Sequence, residues 1–172
     1  MVLPIDTVFY YSATCPYCRT FDTYVLGRLE LLGYVRVLRV DVEEEFIRDD
    51  PLITMNKLFV DLTNTPYIVI TPLLVVRDPS GHEVYIAEYR SKSREEFIKK
   101  AIESIEWKTT TEYLLASVCD MIVHTIGYIR FLARKYIFSD DKIFADPYIN
   151  KALRVAKMVL DLADRFAKAR ER

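Results

Sequence analysis

The stretch Val8-Phe9-Tyr10-Tyr11-Ser12-Ala13-Thr14-Cys15-Pro16-Tyr17-Cys18 passes from strand to turn to helix within a few residues. Thr7 to Tyr11 is β-branched and aromatic, and reads as a buried strand. Ser12-Ala13-Thr14 turns the chain. Pro16 suits a first helical position, where a missing N–H and a fixed φ do no harm. From Arg19 the spacing is helical, with Phe21, Tyr24, Val25, Leu29 and Leu32 on one side and Gly33 as the stop. Val35 to Val42 then nearly alternates and reads as a second strand. Strand, helix and strand this close together predict a βαβ unit with parallel strands.

Glu43-Glu44-Glu45 reads as a solvated turn or helix start. Asp50-Pro51 caps a predicted helix to about Leu62, with Ile53, Leu58, Phe59 and Leu62 on its apolar face. Tyr67 to Ile70 and Leu73 to Val76 flank Thr71-Pro72. Asp78-Pro79-Ser80-Gly81 is a turn signal, so Leu73–Val76 and Val84–Tyr89 should form an antiparallel hairpin. Ser93-Arg94-Glu95-Glu96 is a capping box for a further helix carrying Phe97, Ile98, Ala101, Ile102 and Ile105. The order β-α-β-α-β-β-α over residues 1–107 predicts an α/β fold with a mixed sheet and flanking helices. Residues 108–172 read as a helical extension, a two-helix hairpin. Its first helix should run from Thr109-Thr110-Thr111-Glu112 to about Phe138. After a loop at Ser139 to Lys142, the second should run from Asp146-Pro147 to about Ala169. There Ile149, Leu153, Ala156, Leu160, Ala163 and Ala167 form a narrow seam suited to close helix packing.

The 172-residue chain is 51% hydrophobic and 28% charged, which excludes an intrinsically disordered polymer. A net charge of -1 argues against a whole-chain nucleic-acid binder, whose affinity rests on surplus positive charge. No long apolar run is free of charge, and the best candidate, Tyr113 to Ala133, is interrupted by Asp120, His124 and Arg130. No membrane span is therefore expected. Met1-Val2-Leu3-Pro4-Ile5-Asp6 lacks the basic start and apolar run of a signal peptide, so a cytoplasmic location is expected. Gln is absent and Asn occurs only at 56, 64 and 150, a composition typical of thermophiles.

Three cysteines are present: Cys15, Cys18 and Cys119. A C-x-x-C pair is half of a zinc site or a redox dithiol. Tetrahedral zinc needs two more ligands. Cys119, His82 and His124 are the remaining candidates, and none forms a second close pair, so no metal is expected. As a dithiol, Cys15 sits where unpaired helix N–H groups and the helix dipole favour a thiolate, with Arg19 next to the motif. Cys18 follows one turn later, within bonding reach. Cys119 reads as a small apolar residue on a buried helix.

The quoted stretch resembles the strand and active-site turn of the thioredoxin/glutaredoxin superfamily. Cys-Pro-Tyr-Cys is similar to the glutaredoxin form of its motif. Thr71-Pro72-Leu73-Leu74-Val75-Val76 resembles the strand opened by the family's cis-proline; Thr65-Pro66 is the rival position, but four β-formers and Gly81, at the spacing of the family's hairpin turn, follow Pro72. The likeness covers roughly residues 1–107. It implies a thiol–disulfide oxidoreductase acting on protein disulfides, with no cofactor. Cys15 would be the nucleophile and Cys18 the resolving thiol. Pro16, Tyr17, Thr71 and Pro72 would line the substrate groove, where the Thr71 backbone would pair with an extended chain. Phe9 stands where thioredoxins carry a buried acid, so no carboxylate relay is expected. The glycine-aspartate segment that holds glutathione in glutaredoxins has no counterpart after Val84–Tyr89.

A binding module is the alternative: a thioredoxin-like scaffold with non-catalytic cysteines, whose helical tail recruits a partner or dimerises. The apolar faces of that tail cannot stay in water. They either fold back on the core or join a second chain as a homodimer.

Overall fold

The computed structural model describes residues 4–13, 15–42, 72–87, 90–103, 111–137 and 139–170. The helix expected after Asp50, the strand at Tyr67–Ile70, Thr71 and the 107/108 division all lie outside the described residues. Strand β1 is Ile5–Tyr11. Helix α1, residues 16–31, has three contiguous parts: Pro16–Phe21, a π-helical turn Asp22–Leu26, and Gly27–Leu31. The strands β2 (Val35–Asp41), β3 (Leu73–Arg77), β4 (Glu83–Ile86) and β5 (Arg90–Ser91) follow, then helix α2 (Arg94–Glu103). The helical part comprises α3 (Thr111–Leu132, continued by a π-helical turn Ala133–Ile137), a short α4 (Asp141–Ala145) and α5 (Pro147–Arg170).

The strands form one mixed sheet in the order β2-β1-β3-β4-β5. β1 runs parallel to β2, with Ile5 opposite Val35, and antiparallel to β3, with Tyr10 opposite Leu73. β3 and β4 form the expected hairpin. At its turn the Asp78 carboxylate accepts from the Ser80 and His82 backbone N–H groups, and Gly81 takes φ 95°. The sheet is α/β in class and compatible with the thioredoxin-like arrangement predicted from the sequence. The two-residue β5 was not expected.

Alternation along the strands divides the core into two layers. Ile5, Phe9, Val35, Leu74, Val76 and Ile86 face α1 and α3, and α5 packs onto the same cluster through Ile149 and Ala156. Tyr10, Val40, Leu73, Val75 and Tyr85 face the other way, where Phe97 of α2 stacks on Tyr85 at 5.7 Å. The capping box of α2 is in place: the Glu96 N–H donates to Ser93 Oγ, and the Glu96 carboxylate accepts from the Lys92 N–H.

α1 departs from an ideal 3.6-residue helix. The π-helical turn shifts the buried stripe to Phe21, Val25, Leu26 and Leu29, and leaves Tyr24, expected on the apolar face, 46% exposed. Its end matches expectation. The N–H groups of Gly33 and Tyr34 return to the carbonyls of Glu30 and Leu29, and Gly33 takes φ 87°.

Leu115–Ile137 is long and apolar enough, by length and composition, to cross a membrane, but half of it is buried inside the fold. Asp120, His124 and Arg130 do not prevent this, because they cluster on one side of the helix and leave the rest of its surface apolar. The seam on α5 is covered only in part. Ile149 and Ala156 are buried and Leu153 and Leu160 half-buried, whereas Ala163 and Ala167 are exposed.

Asp146 ties the two regions together. Its carboxylate caps α5 by accepting from the Tyr148 and Ile149 N–H groups, and it also accepts from Arg28 at the far end of α1 at 2.6 Å. Burial alone would push this carboxyl up, but Arg28 and the two backbone donors outweigh it and hold it below its ordinary value. A carboxyl lowered in this way contributes stability above its unfolded pKa and loses it as pH falls through the folded one. Asp146→Ala should therefore cost about 2 kcal/mol in chemical denaturation. Asp146→Asn, which keeps the cap, should cost less and flatten the acid limb of stability against pH. At Gly27 an added Cβ would lie 3.0 Å from the Asp22 carbonyl oxygen. Gly27→Ala should therefore forfeit the gain of about 1 kcal/mol expected at an ordinary helical site and lower the melting temperature instead.

Candidate active site

β1 delivers the chain to a tight turn in which the Cys15 N–H donates to the Ser12 carbonyl at 3.1 Å. Cys15 is the N-cap of α1, with extended φ -90° and ψ 106°, and Pro16 opens the helix. The Cys15 side chain therefore does what a serine or aspartate does at other N-caps. Its Sγ accepts the Cys18 N–H at 3.3 Å, taking one of the orphan donors of the first turn.

Both thiols are free, and their surroundings differ. Cys15 is half-buried, whereas Cys18 is 2% exposed and packs in the cluster that holds Phe9 and Phe21. Hydrogen bonding from the Cys18 side chain lowers Cys15. Burial opposes this, and the Cys18 and Tyr17 backbones add to the lowering, which brings the thiol to about 7. The same contact has the opposite effect on its partner. Donation to Cys15, followed by burial, pushes the Cys18 thiol far up, and the Ser12 backbone offsets only part of this. The pair thus divides into a poised thiolate at the surface and a protonated thiol beneath it. Arg19, expected to help hold the thiolate, is exposed, and the lowering comes from Cys18 and the first-turn backbone.

The expected lip is partly in view. Pro16 is exposed, and Tyr17 is half-buried against the core cluster. Pro72 is half-buried and immediately precedes β3. Because Tyr10 pairs with Leu73, the start of β3 lies beside the end of β1 that leads to the cysteines. The register thus brings Pro72 and the dithiol to one end of the sheet. Thr71, the other expected groove residue, lies outside the described residues.

Phe9 is 1% exposed and meets Phe21 with ring centroids 5.5 Å apart, in the same apolar cluster as Cys18. Ser12 is a site residue that the sequence reading missed. It is buried, its carbonyl fixes the Cys15 backbone, and its own backbone bears on Cys18. Its place in a three-residue turn before the motif was the only signal. Cys119 is 3% exposed and its thiol is raised by burial, as expected of a small apolar residue on α3. Among the described residues, no group of three His, Cys, Asp or Glu side chains converges to hold a metal. No family model, no curated protein and no solved structure matches this chain.

Iodoacetamide modification followed against pH tests the division between the thiols. In the native protein Cys15 should react first, with a rate that rises through about pH 7, against ~8.5 for an ordinary thiol. Cys18 and Cys119 should react only on unfolding. A Cys15 midpoint at the ordinary value would remove the electrostatic account given above.

Proposed function

We propose that this protein is a thiol–disulfide oxidoreductase of thioredoxin-like type that acts on protein disulfides. The observation that supports it is the N-cap sulfur of Cys15, half-buried, lowered to about 7 and in contact with a buried second thiol. A thiolate at this pKa is substantially ionised at neutral pH and remains a good nucleophile.

In the reducing direction the Cys15 thiolate attacks one sulfur of a substrate disulfide. A Cys15–substrate S–S bond forms, the substrate S–S bond breaks, and the departing thiolate takes a proton from solvent. Cys18 loses its main restraint at this point. Donation to the Cys15 thiolate is the largest influence that raises its pKa, and a Cys15 sulfur in a mixed disulfide carries no charge to accept that bond. Cys18 then gives up its proton to solvent more readily, and its thiolate attacks Cys15 Sγ. The second substrate thiolate leaves and is protonated. Two electrons have passed to the substrate, which holds two thiols, and the enzyme holds a Cys15–Cys18 disulfide. An external dithiol returns it to the reduced form, and the reverse sequence oxidises a substrate dithiol. Pro16, Tyr17, Thr71 and Pro72 form the substrate-facing surface in this reading. Extended backbone beside Pro72 would pair with the substrate chain.

A binding role with inert cysteines is the competing reading, favoured by the uncovered end of α5. Trapping separates the two. Cys18→Ser should accumulate mixed disulfides through Cys15 when the reduced variant meets disulfide-bonded insulin, and Cys15→Ser should not. The wild type should turn insulin over in the presence of a small dithiol. A double Cys→Ser protein that keeps its cellular partner, together with no turnover by the wild type, would sink the enzymatic reading.

A further inference from the structure

Helix α5 runs on past the body of the protein. Its residues 161–169 are all exposed, whereas Ile149 and Ala156 nearer its start are buried. On one side, Val155, Met158, Leu162 and Phe166 recur by threes and fours and are exposed by 47%, 59%, 49% and 65%. Four large apolar side chains on one helical stripe are unusual on a water-facing surface.

The charges point to what meets this stripe. α5 carries six Lys and Arg against two Asp, a net charge of +4 in a chain whose total is -1. The two acids are internally paired, Asp161 with Arg165 and Asp164 with Lys168. Among the described residues, Lys151, Arg154 and Lys157 have no acidic partner within salt-bridge distance. Lys151 and Arg154 stand one turn before Val155 and Met158, so their charges sit at the amino end of the stripe.

We propose that this face of α5 docks on an anionic lipid surface, with Val155, Met158, Leu162 and Phe166 entering the headgroup boundary and Lys151 and Arg154 meeting lipid phosphates. Amphipathic helices with bulky apolar residues on one side and Lys or Arg on the other bind membranes in this way without spanning them. A second copy fits less well, because it would bring two helices of net +4 together. The docking is peripheral and does not depend on the redox reading.

Flotation of the full chain with phosphatidylcholine vesicles, with and without phosphatidylglycerol, tests it. Binding should appear only with phosphatidylglycerol and weaken as salt is raised. Lys151→Ser with Arg154→Ser should weaken partition roughly thirtyfold. Leu162→Ser with Phe166→Ser should abolish binding. Both variants should leave the melting temperature and the Cys15 alkylation rate unchanged, since the altered side chains lie away from the core and the dithiol. Three outcomes overturn the proposal: no binding to anionic vesicles at low salt, binding that survives Leu162→Ser with Phe166→Ser, and a dimer by light scattering that this pair of changes dissociates without any lipid binding.

Discussion

The Cys18 thiol and the Cys18 backbone N–H, the latter 3.3 Å from the sulfur, both donate to Cys15 at the amino end of α1, and the chemistry of the site follows from that pairing. A helix leaves its first N–H groups without partners, and here a sulfur takes one of them. The contact favours the anion on Cys15 and places Cys18 one turn deeper, in an apolar layer where a charge is costly. Two identical side chains thus acquire opposite tendencies through position alone. The division comes from the two thiols acting on each other, from burial, and from the backbones of Ser12, Tyr17 and Cys18.

That contact is useful only if α1 is held firmly on the sheet. Its amino end is set by the Ser12 turn and its middle by Phe21, Val25, Leu26 and Leu29 in the core. Its far end is set by the Arg28–Asp146 pair and by the Gly33 stop. The Tyr34 hydroxyl also donates to the Ser139 carbonyl at 3.0 Å, which binds the chain after α1 to the loop before α4. The C-terminal helices are in this sense part of the support of the dithiol helix. Among the described residues β2 ends the sheet, and it is steadied from the same helix: Arg39 bridges Asp22 and Glu30, and Glu30 also accepts the Val37 N–H.

Where the pattern was local, the sequence was sufficient. The β1 run, the Cys-Pro start of α1, the Gly33 stop, the Asp78–Gly81 turn and the Ser93–Glu96 box are each decided by a few adjacent residues, and each is present. The readings that slipped depend on long-range packing. Tyr24 was assigned to the buried face because an ideal period was assumed, and the π-helical turn rotates it outward. Ala163 and Ala167 continue the α5 seam by spacing, but nothing described lies over them, since a seam states what a helix can bury and not how far its partner reaches.

That a thiol pair stands at a strand-to-helix turn follows from residue order alone, because turn chemistry, proline placement and apolar spacing act over a few residues. Folding added the depth of each thiol, with Cys15 half-buried and Cys18 2% exposed, to the roles that helix position had already implied. It also decided that Asp146 caps one helix while clamping another, and that one stripe of α5 is left facing outward. These depend on burial and on partners as distant as Arg28 and Asp146, and spacing along a chain carries no measure of what the folded chain brings against it.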